Sequence, residues 1–136
     1  MILSQNNYSF EVDIWATGCS IAELINKEVL FRGESNYCQI RSYIEILGMP
    51  SDKDCYFIKN SDLWQTIKNE NIEKKGFKIQ DDDSEIKDFL LRLLEFNPEK
   101  RVLIEEALEM DFISSIKESN LMESVSEVSI DFPFDR

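Results

Sequence analysis

The run from Val12 to Glu23, Val-Asp-Ile-Trp-Ala-Thr-Gly-Cys-Ser-Ile-Ala-Glu, constrains this chain more than any other stretch. Between Glu11 and Asn26 the apolar residues fall around most of a helical circumference, which predicts a helix buried on several sides. One carboxylate, Asp13, sits in this run two residues before Trp15. A buried carboxylate is costly unless it is hydrogen-bonded or paired, so Asp13 is expected to need partners. Trp15 and Cys19 read as core side chains, the cysteine acting as a small hydrophobe.

A second block lies toward the C-terminus. Ile86, Phe89, Leu90, Leu93 and Leu94 recur at three-four spacing and predict an amphipathic helix over 84–95. Asp81-Asp82-Asp83-Ser84-Glu85 supplies the acids and the capping residue that a helix N-terminus favours. These acids do not make a calcium loop, because the glycine and the distal glutamate are not at their spacings. The helix runs into Glu95-Phe96-Asn97-Pro98-Glu99-Lys100-Arg101. Between the blocks, Tyr37, Ile40, Ile44 and Leu47 predict a helix over 35–47, stopped by Gly48 and Pro50. A last helix over 104–110 is expected to turn Ile104, Ala107 and Leu108 inward. Residues 52–80 are polar and lysine-rich, with scattered apolar side chains such as Leu63, Trp64 and Ile67 and no readable period.

A length of 136 residues fits one domain, which would bury about two-thirds of its unfolded surface. No run of eighteen apolar residues occurs, and Ser4-Gln5-Asn6-Asn7 lacks the basic-then-apolar design of a signal peptide, so a soluble intracellular protein is expected. The three cysteines, Cys19, Cys38 and Cys55, are odd in number and far from any histidine, there being none, which argues for free thiols over a disulfide or zinc framework. A net charge of −12 argues against nucleic-acid binding, which rests on clustered Lys and Arg.

Four elements in order resemble the C-terminal lobe of a eukaryotic protein kinase, and in particular the MAP-kinase branch of the CMGC group. They are Val-Asp-Ile-Trp-x-x-Gly-Cys at 12–19, Leu-Phe-x-Gly at 30–33, Leu-Gly-x-Pro-Ser at 47–51 and Phe-Asn-Pro-x-Lys-Arg at 96–101. The resemblance implies a mainly α fold, helices F to I of the kinase C-lobe, over residues 1–113, followed by an acidic, serine-rich C-terminal extension at 114–136. In the family an Ala-Pro-Glu motif stands about a dozen residues before the Asp-x-Trp helix, so Met1 is expected to fall just after it, in mid-domain. Phosphoryl transfer in such kinases uses ATP with magnesium, a glycine-rich loop, a His-Arg-Asp loop and an Asp-Phe-Gly metal ligand. This chain has no His-Arg-Asp or Asp-Phe-Gly, and its glycines, at 18, 33, 48 and 76, are dispersed. No catalytic, cofactor-binding or metal residue is therefore assigned, and the chain as it stands is expected to be inactive.

The same resemblance gives roles to particular residues. Asp13 would accept backbone N–H bonds from the His-Arg-Asp loop, Trp15 would support that arrangement from the core, and Arg101 would pair with the Ala-Pro-Glu glutamate. Loss of such a buried pair costs about 3–5 kcal/mol. Tyr37, Ile40 and Ile44 on the second helix are candidate docking residues for protein substrates or regulators, and Glu118 and Glu123 mark the place of an acidic docking site. Three departures mark a divergent lineage: Arg32 replaces the proline of Leu-Phe-Pro-Gly, Met110-Asp111 replaces His-Pro, and Leu103 replaces a capping Ser or Thr. The expected setting is cytoplasmic or nuclear, with neither membrane nor nucleic acid as a partner. Two alternatives to a kinase fragment stand beside this reading, a non-catalytic interaction module and a degenerate remnant.

Overall fold

The computed structural model describes residues 10–55, 62–79 and 83–119, in which six α-helices and no strand are found. Helix α1, Phe10–Asn26, carries Glu11 and Asp13 in its first turn, where the helix dipole favours acids. It packs chiefly against α4, Ser84–Leu93. Gly18 and Ala22, its two buried residues, allow the close approach: a Cβ at Gly18 would lie 2.9 Å from Leu93 Cβ and 3.0 Å from Leu94 Cδ2.

Burial on several sides, expected for α1, is not what the structure has. Ile14, Trp15, Cys19, Ile21 and Ile25 are half-buried against the core, whereas Phe10 and Leu24 are 87% and 76% exposed. The described segments cover one side of α1, and the apolar residues on the other side face outward.

Lys27 ends α1 in the left-handed region at φ 55°, turning the chain away from the helix axis. Helix α2, Asn36–Leu47, then begins at Ser35, whose Oγ accepts from the Cys38 N–H at 3.2 Å. It stops at Gly48, which sits at φ +97° where a side chain would be strained, and whose N–H donates to Ile44 O at 2.8 Å. The stretch that had no readable period holds helix α3, Asp62–Lys68, which packs on α2. Trp64 and Ile67, three residues apart, are its buried side chains, 2% and 0% exposed.

Helix α4 is capped by Asp83, whose Oδ1 accepts from Glu85 and Ile86 N–H. A single 3-10 turn, Pro98–Lys100, precedes α5, Ile104–Leu108, and α6, Asp111–Glu118. Only Ala107 of α5 is buried. Ile104 and Leu108, expected to turn inward, are about half exposed, because a five-residue helix turns only one side chain fully onto α6. Leu103 offers no capping acceptor, and only the return half of the cap forms, the Leu103 N–H donating to Glu106 Oε2 at 3.3 Å. Helix α6 passes through residue 113 without a break, and residues 120–136 of the expected extension lie outside the described residues.

Two apolar clusters result. One joins α1, α4 and the loop at Phe31 and Phe77; the other joins α2 and α3 around Ile40, Ile44, Cys55, Trp64 and Phe96. Tyr43 packs against both. Gly18→Ala is expected to lower stability by about 1–3 kcal/mol, since the added methyl meets Leu93 and Leu94 of a packed helix pair. Denaturant unfolding monitored by tryptophan fluorescence measures it.

Candidate functional site

The two sequence blocks meet at the start of α1. Arg101, held by the 3-10 turn that ends the second block, points its guanidinium at carbonyls: Nε donates to Glu95 O at 2.8 Å, Nη1 to Glu11 O at 2.6 Å, and Nη2 more weakly to Phe96 O at 3.4 Å. The guanidinium carbon lies 4.9 Å from the centroid of the Trp15 ring, a cation–π distance. Burial pushes the Arg101 pKa down to about 10, opposed by the nearby charges of Glu11 and Glu95, so the group stays cationic at neutral pH. No carboxylate of the described residues reaches ion-pair distance of it. In place of the acidic partner that the resemblance implies, the guanidinium has partners of another kind. Three carbonyl acceptors and an aromatic face satisfy it within the chain.

Trp15 extends this junction into an aromatic cluster, stacked on Phe31 at 5.6 Å and 11° and meeting Tyr43 edge-on at 5.3 Å. Phe31 and Tyr43 are also edge-on, at 4.6 Å. Such pairs add about 0.5–1.5 kcal/mol each beyond their burial. Below them, burial pushes the Cys19 thiol up to about 11, with Glu23 adding to the shift, which leaves it a protonated hydrophobe. Asp13, which the resemblance makes the acceptor for a loop that this chain does not contain, has no hydrogen-bond or ion-pair partner among the described residues. It is exposed, because the helical register that buries Gly18 and Ala22 turns it toward solvent.

The residues proposed for docking on α2 divide. Ile40 and Ile44 are 0% exposed, covered by α3 and Phe96, so they are core and cannot present a surface. Tyr37 is half-buried, and its hydroxyl donates to Glu70 at 2.8 Å, within a network in which Arg41 bridges Glu70 and Glu45. Glu118 is exposed at the end of α6, and Glu123 lies outside the described residues.

Asp54 and Asn97 carry a second junction that the sequence did not reveal. Asp54, just after the α2 stop, accepts from Lys100 Nζ at 2.6 Å, from Ser51 Oγ at 2.6 Å and from Asn97 Nδ2 at 3.1 Å. Bonds from Lys100 first, then Ser51 and Asn97, hold its carboxyl down at about 2. Asn97, 4% exposed, also caps the 3-10 turn through the Glu99 N–H. The only signal in the sequence is local, an Asn-Pro pair that marks a turn; its partner 43 residues away is invisible to any spacing rule.

A model of the protein kinase domain matches residues 1–113. Mitogen-activated protein kinase 13 of Arabidopsis thaliana is 29% identical over 88% of this chain and 34% of its own length. Extracellular signal-regulated kinase 1 of Dictyostelium discoideum is 38% identical over 85% of this chain and 22% of its own length. Among solved structures, MAP kinase LmaMPK10 from Leishmania major superposes with a TM-score of 0.72 at 25% identity, over 99% of this chain and 40% of that one. The chain thus spans about a third or less of the curated relatives it matches.

The depressed carboxyl of Asp54 has a defined pH signature. Its folded value near 2 lies below the ordinary carboxylate value, so its contribution is complete above about pH 4 and is lost as pH falls toward 2. Asp54→Asn is expected to lower stability at pH 7 and to flatten the stability profile between about pH 4 and 2, as read by urea midpoints across that range.

Proposed function

Since the chain belongs to the protein kinase domain family, we propose that it is the C-lobe portion of a MAP-kinase-like serine/threonine kinase, the whole of which phosphorylates protein Ser and Thr at the expense of ATP. The observation that carries this reading is the Arg101 junction, which joins the Asp-x-Trp block to the Phe-Asn-Pro-x-Lys-Arg block through Glu11 O and the Trp15 ring. In this reading Asp13, exposed on the first turn of α1, is the acceptor on which a catalytic loop from another segment is hung. Trp15 and Arg101 hold α1 at the angle that aims it. All three are positioning residues, remote from any reacting atom.

ATP and magnesium would be the cofactors of such a complete kinase. Among the described residues no group of three His, Cys, Asp or Glu is placed to hold a metal ion, and the dispersed glycines make no phosphate cradle. Nucleotide and metal would be held by other parts of a complete kinase. No helix of the described residues is long and apolar enough to cross a membrane. The partners in this reading are protein substrates and regulators met in the cytoplasm or nucleus, with the solvent side of α2 around Tyr37 as one contact.

The transcript upstream of the Met1 codon tests the reading. In-frame coding for His-Arg-Asp, Asp-Phe-Gly and Ala-Pro-Glu is expected there, and upstream sequence lacking all three rules out an active kinase. The 136-residue chain alone, given magnesium ATP and a generic protein substrate, is expected to incorporate no phosphate.

A non-catalytic interaction module is the second reading, favoured by one observation: no buried side-chain nitrogen or oxygen of the described residues lacks a hydrogen bond. Such a module must fold by itself. A single cooperative thermal transition in circular dichroism is then expected, and a noncooperative, aggregating chain excludes it.

A further inference from the structure

A groove of about 590 Å³ lies between the end of α1, one side of α2 and the irregular segment 75–79. Its walls are largely loop, yet they are pinned. Asn26 Nδ2 donates to Lys78 O at 2.8 Å, Lys75 and Gly76 N–H both donate to Glu45 O, and the Leu30 N–H donates to Glu23 Oε1 at 3.0 Å. A cleft whose loops are fixed by bonds to helices is preformed, so an occupant pays little to order it. The lining is apolar at Val29, Ile46, Phe77 and Ile79, and Val29 is 54% exposed.

Charge at the groove runs against the rest of the molecule. The chain carries −12, but here Arg32 and Lys78 line the opening as exposed cations with no ion-pair partner among the described residues, and Lys74 stands beside Lys75. Of the two acids in the lining, Glu45 is already paired with Lys75 and Arg41, which leaves Glu28 as the opposing charge. A cationic rim over an apolar floor is no general solubility device on so acidic a protein. It complements a ligand that is anionic and apolar at once.

We propose that this groove docks an acidic peptide segment of a partner protein, with aliphatic or aromatic side chains entering between Val29 and Phe77 and carboxylates meeting Arg32 and Lys78. Tyr37 is not among the lining residues, though Glu45 joins the groove to its network through Arg41, and the site stands whether or not the kinase reading does. A peptide suits it better than a compact anion, because the lining sets exposed cations beside apolar side chains along a cleft of about 590 Å³.

The test uses the full chain and a fluorescent peptide alternating glutamate with phenylalanine and isoleucine, beside a control with lysine for glutamate. Saturable binding of the acidic peptide is expected, weakening several-fold between about 50 and 300 mM salt. Arg32→Glu with Lys78→Glu is expected to weaken it about tenfold or more, and Val29→Asp to do likewise. All three positions are exposed, and superimposable circular dichroism spectra establish that the variants keep the fold. Equal binding of the lysine peptide, undiminished binding to the double variant, or no saturable binding overturns the proposal. Asp131-Phe132-Pro133-Phe134-Asp135 near the C-terminus is itself acidic and aromatic, so binding that emerges only when Phe132→Ala and Phe134→Ala are introduced also overturns the proposal, the chain's own C-terminus then being the occupant. None of these outcomes depends on phosphoryl transfer, so the kinase reading fails or survives separately.

Discussion

A cation held by carbonyl groups is the constraint on which the rest of this structure depends. Arg101 reaches across 90 residues of sequence to Glu11 O while it also closes the turn that follows α4. Without it, the junction of α1 with the end of α4 would lose its polar tie and rest on the apolar packing around Gly18, Leu93 and Leu94. The guanidinium suits the task because its donors form a planar fork and its face can lie on an indole, which a lysine ammonium could not do equally well. Its depressed pKa reports the cost of burial. The three acceptors and the Trp15 face offset that cost.

A second tie, of a different kind, acts in parallel. Asp54 gathers Lys100, Ser51 and Asn97, so the turn that carries Arg101 is fixed to the loop leaving α2 as well as to α1. The segment 96–101 is thus a three-way joint. This explains why one short motif, Phe-Asn-Pro-x-Lys-Arg, contributes a core side chain in Phe96, a buried cap in Asn97 and two cations with separate partners.

How much of this could be read in advance depended on whether the signal was local. The spacing of apolar residues placed α1, α2 and α4 within a residue or two, because each presents a repeating stripe, α2 carries a recognisable stop and α4 a recognisable start. Helix α3 escaped because its two buried residues, Trp64 and Ile67, make only one turn of pattern. Helix α6 escaped because most of it falls within the acidic, serine-rich stretch from residue 114 that reads as an extension. The burial of Ile40 and Ile44 was in fact legible from their four-residue spacing; reading them as a docking surface set that periodicity aside. Asp13 shows a different limit: an apolar run around an acid does not reveal that the close approach at Gly18 fixes the register and turns the acid outward. The distant partners of Arg101 and Asp54, Glu11 for the one and Asn97 and Lys100 for the other, could not have been found by spacing, since they lie far along the chain.

Tyr43 is the side chain that touches both apolar clusters, and this gives the molecule a mechanical grain. The α1–α4 half is clamped by the arginine and by a glycine-mediated helix contact, whereas the α2–α3 half leans on a short helix and on ion pairs at the surface. Local opening therefore has a natural seam along this tyrosine: amide protons of α2 and α3 would exchange with solvent through a partial loosening that leaves those of α1 and α4 protected. The joint at 96–101 straddles the seam, with Phe96 on one bank and Arg101 on the other, and so would be the last element to let the two halves separate.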